Sequence, residues 1–368
     1  MYLRKLRLRN FRNYTDQVFT FSSGLNLVSG DNAQGKTSVI EAISLLSTGR
    51  SFRTSFLQEL VRKGADFFSI EAKICEGSLS LESSLELFYH RGKKKMRYNA
   101  SSYPSFLPAL GLLPSVIHLP ADIELVQGSP LIRRKFCNIH LAQKNPLYAR
   151  YLLRYQKAMK QRNAALKRPG ALARPKLLQV WEQEMVGSGS YITQERQNLL
   201  GHLEPKFQEH IDHFSGGKEE ARCIFCPSVH TADEEESFAT KFLKRLEQGR
   251  LKEAKMGTSL TGPHRDDFTL EIEKLPAKKF ASQGQKYSVA SALRLAEWEL
   301  LSESFARPAI FCIDDFGLGL DQKRQTLLQG KFSQMGQVFL TAPHFSFPFC
   351  KELIPLFSVE EGSASRVL

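Results

Sequence analysis

Apolar and polar positions alternate from the start of the chain. In Met1 to Asn10, Leu6 and Leu8 interleave with Lys5, Arg7 and Arg9, the period-two pattern of a half-buried strand. The pattern returns at Leu25 to Val28 and Leu81 to Tyr89. Between them lies one helical stretch with Val39, Ile40, Ile43 and Leu46 on its buried face. Residues 1 to about 115 therefore read as a mixed α/β lobe. From about Leu131 to His213 the apolar spacing becomes helical, and breaks at Asn145-Pro146, Pro169-Gly170 and Pro175 predict at least three helices. Strand signals return after about Leu260, at Phe268 to Ile272, Ala309 to Ile313 and Val338 to Thr341, with a helix from about Gln285 to Ser302. A β-rich beginning and end around a helical middle predicts an α/β head built from both termini, 1–115 and 255–368, with an inserted helical domain over 116–254.

Composition narrows this picture. The 368 residues, 42% apolar, are enough for a sizeable core without staples. The six cysteines are scattered, the usage of a reducing compartment, and neither a signal peptide nor an apolar run of membrane-spanning length is visible, so a cytoplasmic protein with no membrane partner is expected. Cys223 and Cys226 form a C-x-x-C, but no second ligand pair follows, and two small residues on a strand explain it better than zinc. The net charge of +13 is localised: no Asp or Glu occurs between Glu124 and Glu182. Thirteen of the 51 Lys and Arg fall in that window, and the other 38 equal the 38 acids.

The clearest chemistry is the string Gly30-Asp31-Asn32-Ala33-Gln34-Gly35-Lys36-Thr37, followed by Ser38, which fits G-x-x-x-x-G-K-[ST] between a predicted strand and a predicted helix. The glycines allow the backbone to turn several N–H groups inward, forming an anion nest at the positive end of a helix. Lys36 supplies a point charge for the β and γ phosphates of ATP, and the Thr37 hydroxyl is a ligand for Mg²⁺. Ala309 to Ile313 reads as a buried strand ending in Asp314-Asp315. Beside a phosphate loop, Asp314 suits metal binding and Asp315 suits orienting or deprotonating the attacking water; simple solvation at a loop is the alternative. Ser282-Gln283-Gly284-Gln285 precedes a helix, where Ser282 either caps that helix or, with the helix-start amides, contacts the γ phosphate held by a second subunit.

In the charge-rich window, Tyr148, Leu152, Tyr155, Met159 and Leu166 fall on one helical face and Arg150, Arg154, Lys157 and Arg168 on the other. With no acid nearby in sequence to pair them, a polyanion is the simplest partner, since phosphate neutralisation releases counterions; a merely solvated face is the alternative. A second run, Arg91, Lys93, Lys94, Lys95 and Arg97, reads as a hairpin tip that either touches DNA or is a soluble turn.

Six ordered blocks identify a resemblance to the RecF family of ATP-binding-cassette ATPases of the structural-maintenance-of-chromosomes type. They are Asn10-Phe11-Arg12-Asn13-Tyr14, Gly30 through Glu41, Gly49-Arg50-Ser51-Phe52-Arg53, Gly262-Pro263-His264-Arg265-Asp266-Asp267, Ser282 to Gln285, and Asp314-Asp315. The resemblance covers nearly the whole chain. It implies an ATP-dependent homodimer in which each signature segment closes the other subunit's phosphate loop. It also implies binding to double-stranded DNA near single-strand gaps, and work with RecO and RecR in loading the RecA recombinase. Arg12, Arg50 and Arg53 become candidates for nucleotide phosphate contacts, and Arg133, Arg134, Lys135, Arg150, Arg154, Lys157 and Lys160 for DNA contacts. The chain departs from the family at Lys286-Tyr287, where Gln-Arg is usual, at Leu318-Gly319, where Ser-Glu is usual, and at Asn138, where Asp is usual. Weak, slow DNA-dependent ATP hydrolysis is the resulting expectation. His344 stands where transport-type cassettes sense the γ phosphate, or is a capping or solvated imidazole. A non-hydrolysing ATP-binding scaffold and a small-molecule kinase are the competing readings.

Overall fold

The computed structural model describes residues 1–77, 81–168, 175–229, 236–319, 321–343 and 354–367. The chain begins with β1 (Tyr2–Phe11), β2 (Tyr14–Thr20), β3 (Leu25–Ser29) and α1 (Lys36–Thr48). Next come β4 (Phe67–Glu76), β5 (Leu81–His90), β6 (Lys93–Tyr98), β7 (Ser101–Tyr103) and β8 (Ser115–His118). The helical middle holds α2 (Ile123–Gln127), α3 (Pro130–Lys144), α4 (Pro146–Leu166), α5 (Pro175–Ser215), β9 (Ala221–Cys226) and α6 (Phe238–Met256). The remainder is β10 (Asp267–Ile272), β11 (Leu275–Pro276), α7 (Ala277–Phe280), α8 (Gln283–Ser304), β12 (Ile310–Ile313), α9 (Gln322–Phe332), β13 (Val338–Ala342), β14 (Leu356–Glu360) and β15 (Ser363–Arg366).

Two compact units emerge. The first joins Met1–Ile123, Glu209–Lys218 and Ser282–Leu368, and among the described residues it contains two six-stranded sheets. One, in the order β2-β1-β4-β5-β6-β7, is antiparallel throughout, and its strands carry the alternation read from the sequence. The other, β15-β14-β3-β13-β12-β8, is parallel from β14 to β8. Strands β12 and β13 are buried at every position, so they read as continuous apolar runs. Helix α1 packs on strands of both sheets and is buried almost all round, which explains why it shows little amphipathic contrast.

The second unit, Glu124–Gln208 with Glu219–Ala281, holds the long helices and a three-stranded sheet, β11-β10-β9. This moves the expected boundaries. Strand β8 pairs with β12, so the first unit reaches Ile123 rather than stopping at 115. Strand β10, expected in the head, pairs with β9 from Asp267↔Cys226 to Ile272↔Ala221 and so belongs to the insertion, which ends at Ala281 rather than 254. The helix break predicted at Asn145-Pro146 is present, with the Asn145 side chain capping α4 through the Leu147 N–H. Cys223 is buried on β9, and Cys226 is half-buried at its end.

Candidate active site

The loop Gly30 to Gly35 leaves the end of β3, an inner strand, and feeds α1, the crevice position favoured for ligands in parallel sheets. Both glycines are obligatory there. Gly30 has φ 142° and a Cβ would lie 2.3 Å from the Val359 carbonyl oxygen; Gly35 has φ 128° and a Cβ would lie 2.9 Å from both the Asn13 amide and the Tyr14 hydroxyl. The loop is held from two sides. Asn13 Nδ2 and the Gly362 N–H donate to the Gln34 carbonyl, and Tyr14 Oη donates to the Gly35 carbonyl at 3.1 Å. The Glu361 N–H donates to Gln34 Oε1 at 2.5 Å. Lys36 folds back over its own loop, its Nζ donating to the carbonyls of Gly30 at 2.6 Å and Asp31 at 2.8 Å. Asp31, Asn32 and Ala33 are exposed at the tip, while Ser38 is buried in the first turn of α1.

Asp314 follows β12 and meets the loop across 277 positions of sequence: Thr37 Oγ1 donates to Asp314 Oδ1 at 3.0 Å. Thr341 on β13 donates to the same oxygen at 2.7 Å and accepts the Asp315 N–H at 2.9 Å. Burial pushes the Asp314 carboxyl above the usual carboxylate range, as does the neighbouring Asp315 charge; the two threonine hydroxyls and the Arg53 charge pull the other way. Asp315 sits at φ 51°, a left-handed conformation uncommon for a side-chain-bearing residue and typical of strained sites. It lines a cleft of about 830 Å³ together with Asn13, Lys36, Thr37, Arg12 and Arg53. Thr37 and Asp314 present the hard oxygen donors that Mg²⁺ takes, so the residues fit that ion.

Arg12 lines this cleft, yet its guanidinium is already engaged. Nε and Nη2 donate to Glu41 of α1 at 2.8 and 2.7 Å, and Nη1 donates to the Glu59 carbonyl at 3.1 Å. Glu41 and Asn13 were legible only as members of family blocks, since nothing local in sequence marks a helix glutamate as the anchor of a strand-end arginine. Ser282 accepts the Gln285 N–H at 3.2 Å and Gln285 Oε1 accepts the Ser282 N–H at 2.8 Å, a complete capping box at the start of α8. None of Ser282, Gln283, Gly284 or Gln285 lines the cleft at Lys36. Two of the three departures noted in sequence meet, because the Tyr287 ring lies against Gly319, where a Cβ would come within 2.4 Å of it. His344 lies outside the described residues.

The candidate DNA-contacting residues divide. Arg133 is buried and paired bidentately with Asp267 at 2.7 and 2.9 Å, so it is a structural ion pair rather than a surface contact. Arg134 is half-buried and donates to the Asp266 carbonyl at 2.8 Å. Arg154, although exposed, is paired with Glu184 of α5. Arg162 is fully buried between Glu182 and Glu253. The acids absent from the charged window thus arrive from distant sequence. Lys135, Arg150, Lys157 and Lys160 are exposed. The hairpin run forms as expected, with the turn at Arg91-Gly92 between β5 and β6; Arg91 pairs with Asp66 and Arg97 with Glu86.

The Gly262 to Asp267 block gains a structural role within the insertion. Asp266 accepts from Arg196 at 3.1 Å and from the Ser228 N–H at 2.9 Å. His264 bridges the Tyr155 hydroxyl at 2.6 Å and the Ser259 carbonyl at 2.9 Å, and burial lowers its pKa to about 4. Asn138 Oδ1 accepts from Tyr148 Oη at 2.7 Å and Arg196 Nη2 at 3.0 Å, so the amide is absorbed by packing.

Residues 5–103 match an AAA domain. The chain is 37% identical over 343 residues, 93% of its length and 94% of the relative's, to the DNA replication and repair protein RecF of Protochlamydia amoebophila. The solved structure of the recombination mediator protein RecF-ATP in the RecFOR pathway superimposes with a TM-score of 0.89 at 28% identity, covering 100% of this chain and 98% of that one. The Smc head domain of Pyrococcus furiosus, at 17% identity and a TM-score of 0.56 over 100% of this chain and 96% of that one, shares the fold. Identity sustained over nearly the full length, with the phosphate loop and acid pair assembled in one unit, places the chain in the RecF family of DNA replication and repair proteins.

Proposed function

We propose that the chain is an ATP-gated clamp on DNA: ATP joins two copies, the pair grips double-stranded DNA beside single-strand gaps, and slow, DNA-dependent hydrolysis releases it. The observation that carries this reading is the Thr37–Asp314 hydrogen bond, which brings the phosphate loop and the acid pair to one point. Phosphate oxygens would replace the Gly30 and Asp31 carbonyls as acceptors for the Lys36 ammonium. Arg53 and Arg12, on the wall of the same cleft, add positive charge, and Asp315 orients the attacking water. Thr37 and Asp314 would hold Mg²⁺, which when bound offsets phosphate charge.

Dimerisation explains why Ser282 to Gln285 lie off the cleft of their own chain: they complete the site of a second copy. ATP shifts the equilibrium toward the dimer because there it contacts both subunits. The exposed Arg150, Lys157 and Lys160 of α4, with Lys135, supply the DNA-facing charge. By family membership the partners are proteins of the RecO and RecR type, and the outcome is assisted loading of a recombinase.

The test is duplex and gapped-DNA binding measured with and without ATP across a salt series, together with sedimentation. ATP-dependent dimers that bind DNA with a steep salt slope support the clamp. A Lys36→Ala protein should stay monomeric with ATP, and Asp315→Asn should dissociate from DNA more slowly than the parent. Phosphate transfer to a small acceptor would contradict the reading.

A further inference from the structure

Helix α1 carries a second charged residue beyond Lys36. Glu41 has no exposed surface, and a lone carboxylate in such a place would be strongly disfavoured. Three side chains converge on it. Arg12 makes two charge-assisted hydrogen bonds at 2.8 and 2.7 Å, Ser51 donates its hydroxyl, and Arg53 Nη1 approaches to 4.0 Å. The two arginines are held differently. Arg12 is also tied by its backbone N–H to the Leu60 carbonyl at 2.7 Å and by Nη1 to the Glu59 carbonyl, and its side chain is 21% exposed. Arg53 is 49% exposed, and its Glu41 contact is beyond hydrogen-bond distance. Its backbone N–H donates to Ser51 Oγ at 2.9 Å, so Glu41 restrains both ends of this residue, directly and through the serine.

From this arrangement we infer that Glu41 is a positioning residue of the nucleotide site, which locks Arg12 into the wall and presents Arg53 to the terminal phosphate of a nucleoside triphosphate. The inference rests on the ATP reading above. Arg53 lines the same cleft as Lys36, Thr37 and Asp315. A terminal phosphate lying against these groups offers Arg53 shorter, charge-assisted bonds than its 4.0 Å contact with Glu41, and Glu41, staying beside the guanidinium, keeps it turned toward the cleft. Arg12, committed to Glu41 on two nitrogens, stays as a fixed charge. Triphosphate and diphosphate are thereby distinguished by one loosely held guanidinium.

The experiment is a calorimetric titration of ATP and of ADP, with Mg²⁺, into the full chain, Glu41→Gln, Arg53→Gln and the double variant. Glu41→Gln and Arg53→Gln should each weaken ATP by about tenfold and ADP by less than about twofold, and the double variant should be no weaker than about tenfold, because both act through one contact. Equal losses for ATP and ADP, or a double variant weakened by the product of the two, would overturn the assignment. Should Glu41→Gln not fold, Ser51→Ala takes its place, with an ATP-selective loss of about threefold expected and a non-selective one overturning it. A parent protein that binds neither nucleotide would overturn the nucleotide reading itself, an outcome distinct from these.

Discussion

The phosphate loop and the basic insertion answer differently to the same kind of sequence reading. Around the loop, the spacing carries straight into local geometry: Gly30 and Gly35 take positive φ, and Lys36 and Thr37 follow them into the start of α1, because such a turn is fixed by eight adjacent residues. In the insertion, spacing left the fate of each base open. Thirteen bases without an acid read as a surface for a polyanion, yet Arg133, Arg154 and Arg162 are paired with Asp267, Glu184 and Glu182. Local chemistry survives folding when the function is made by backbone, whereas charge is a property of whichever chains happen to meet.

That contrast is sharpest at Arg162. Replacing it with Ala leaves Glu182 and Glu253 buried with their shared partner gone and should cost about 3–5 kcal/mol in urea unfolding of the insertion. An unchanged midpoint would mean the pair is not stabilising. At the loop, Gly35→Ala must strain a φ of 128° and crowd Asn13 and Tyr14, about 2–3 kcal/mol, so ATP affinity should drop about a hundredfold while the unfolding of the insertion stays put.

A smaller effect separates the units by pH. His264 stays neutral in the folded insertion down to about pH 4, while an unfolded imidazole takes up its proton near 6.5. Between those values the unfolded state holds more protons, so stability is complete above pH 6.5 and falls by about 2 kcal/mol as the pH drops to about 5, the loss levelling off below about pH 4. His140, buried and lowered to about 3, extends the loss further down. A His264→Gln protein should show a shallower decline in denaturant midpoint over this window; an identical decline would exclude the residue.

The smallest effect tests what remains of the basic surface. Lys157→Ala with Lys160→Ala should weaken duplex DNA binding by about fivefold near physiological salt and reduce the salt slope by about two, measured by fluorescence anisotropy. Arg133→Gln, buried on Asp267, should leave that slope alone and lower stability instead.

Much of the fold was legible because period-two and helical patterns are local. Strands β3, β12 and β13 and helix α8 lie within a few residues of their predicted limits. The domain boundary was not legible, since β10 reads as a strand wherever it pairs and only its register with β9 assigns it to the insertion. Tyr287 and Gly319 looked like two unrelated departures from a family pattern and are one contact.

The chain by itself determined the phosphate loop, the acid pair at the end of β12, the family blocks and the α/β order of elements, all of which follow from neighbouring residues. Tertiary structure alone decided that Thr37 and Asp314 meet, that Arg12 and Arg53 both face Glu41, and which bases of the insertion are paired with acids from distant sequence. Those outcomes depend on pairings tens to hundreds of residues apart, and the free energy of a buried charge is set by what surrounds it in space.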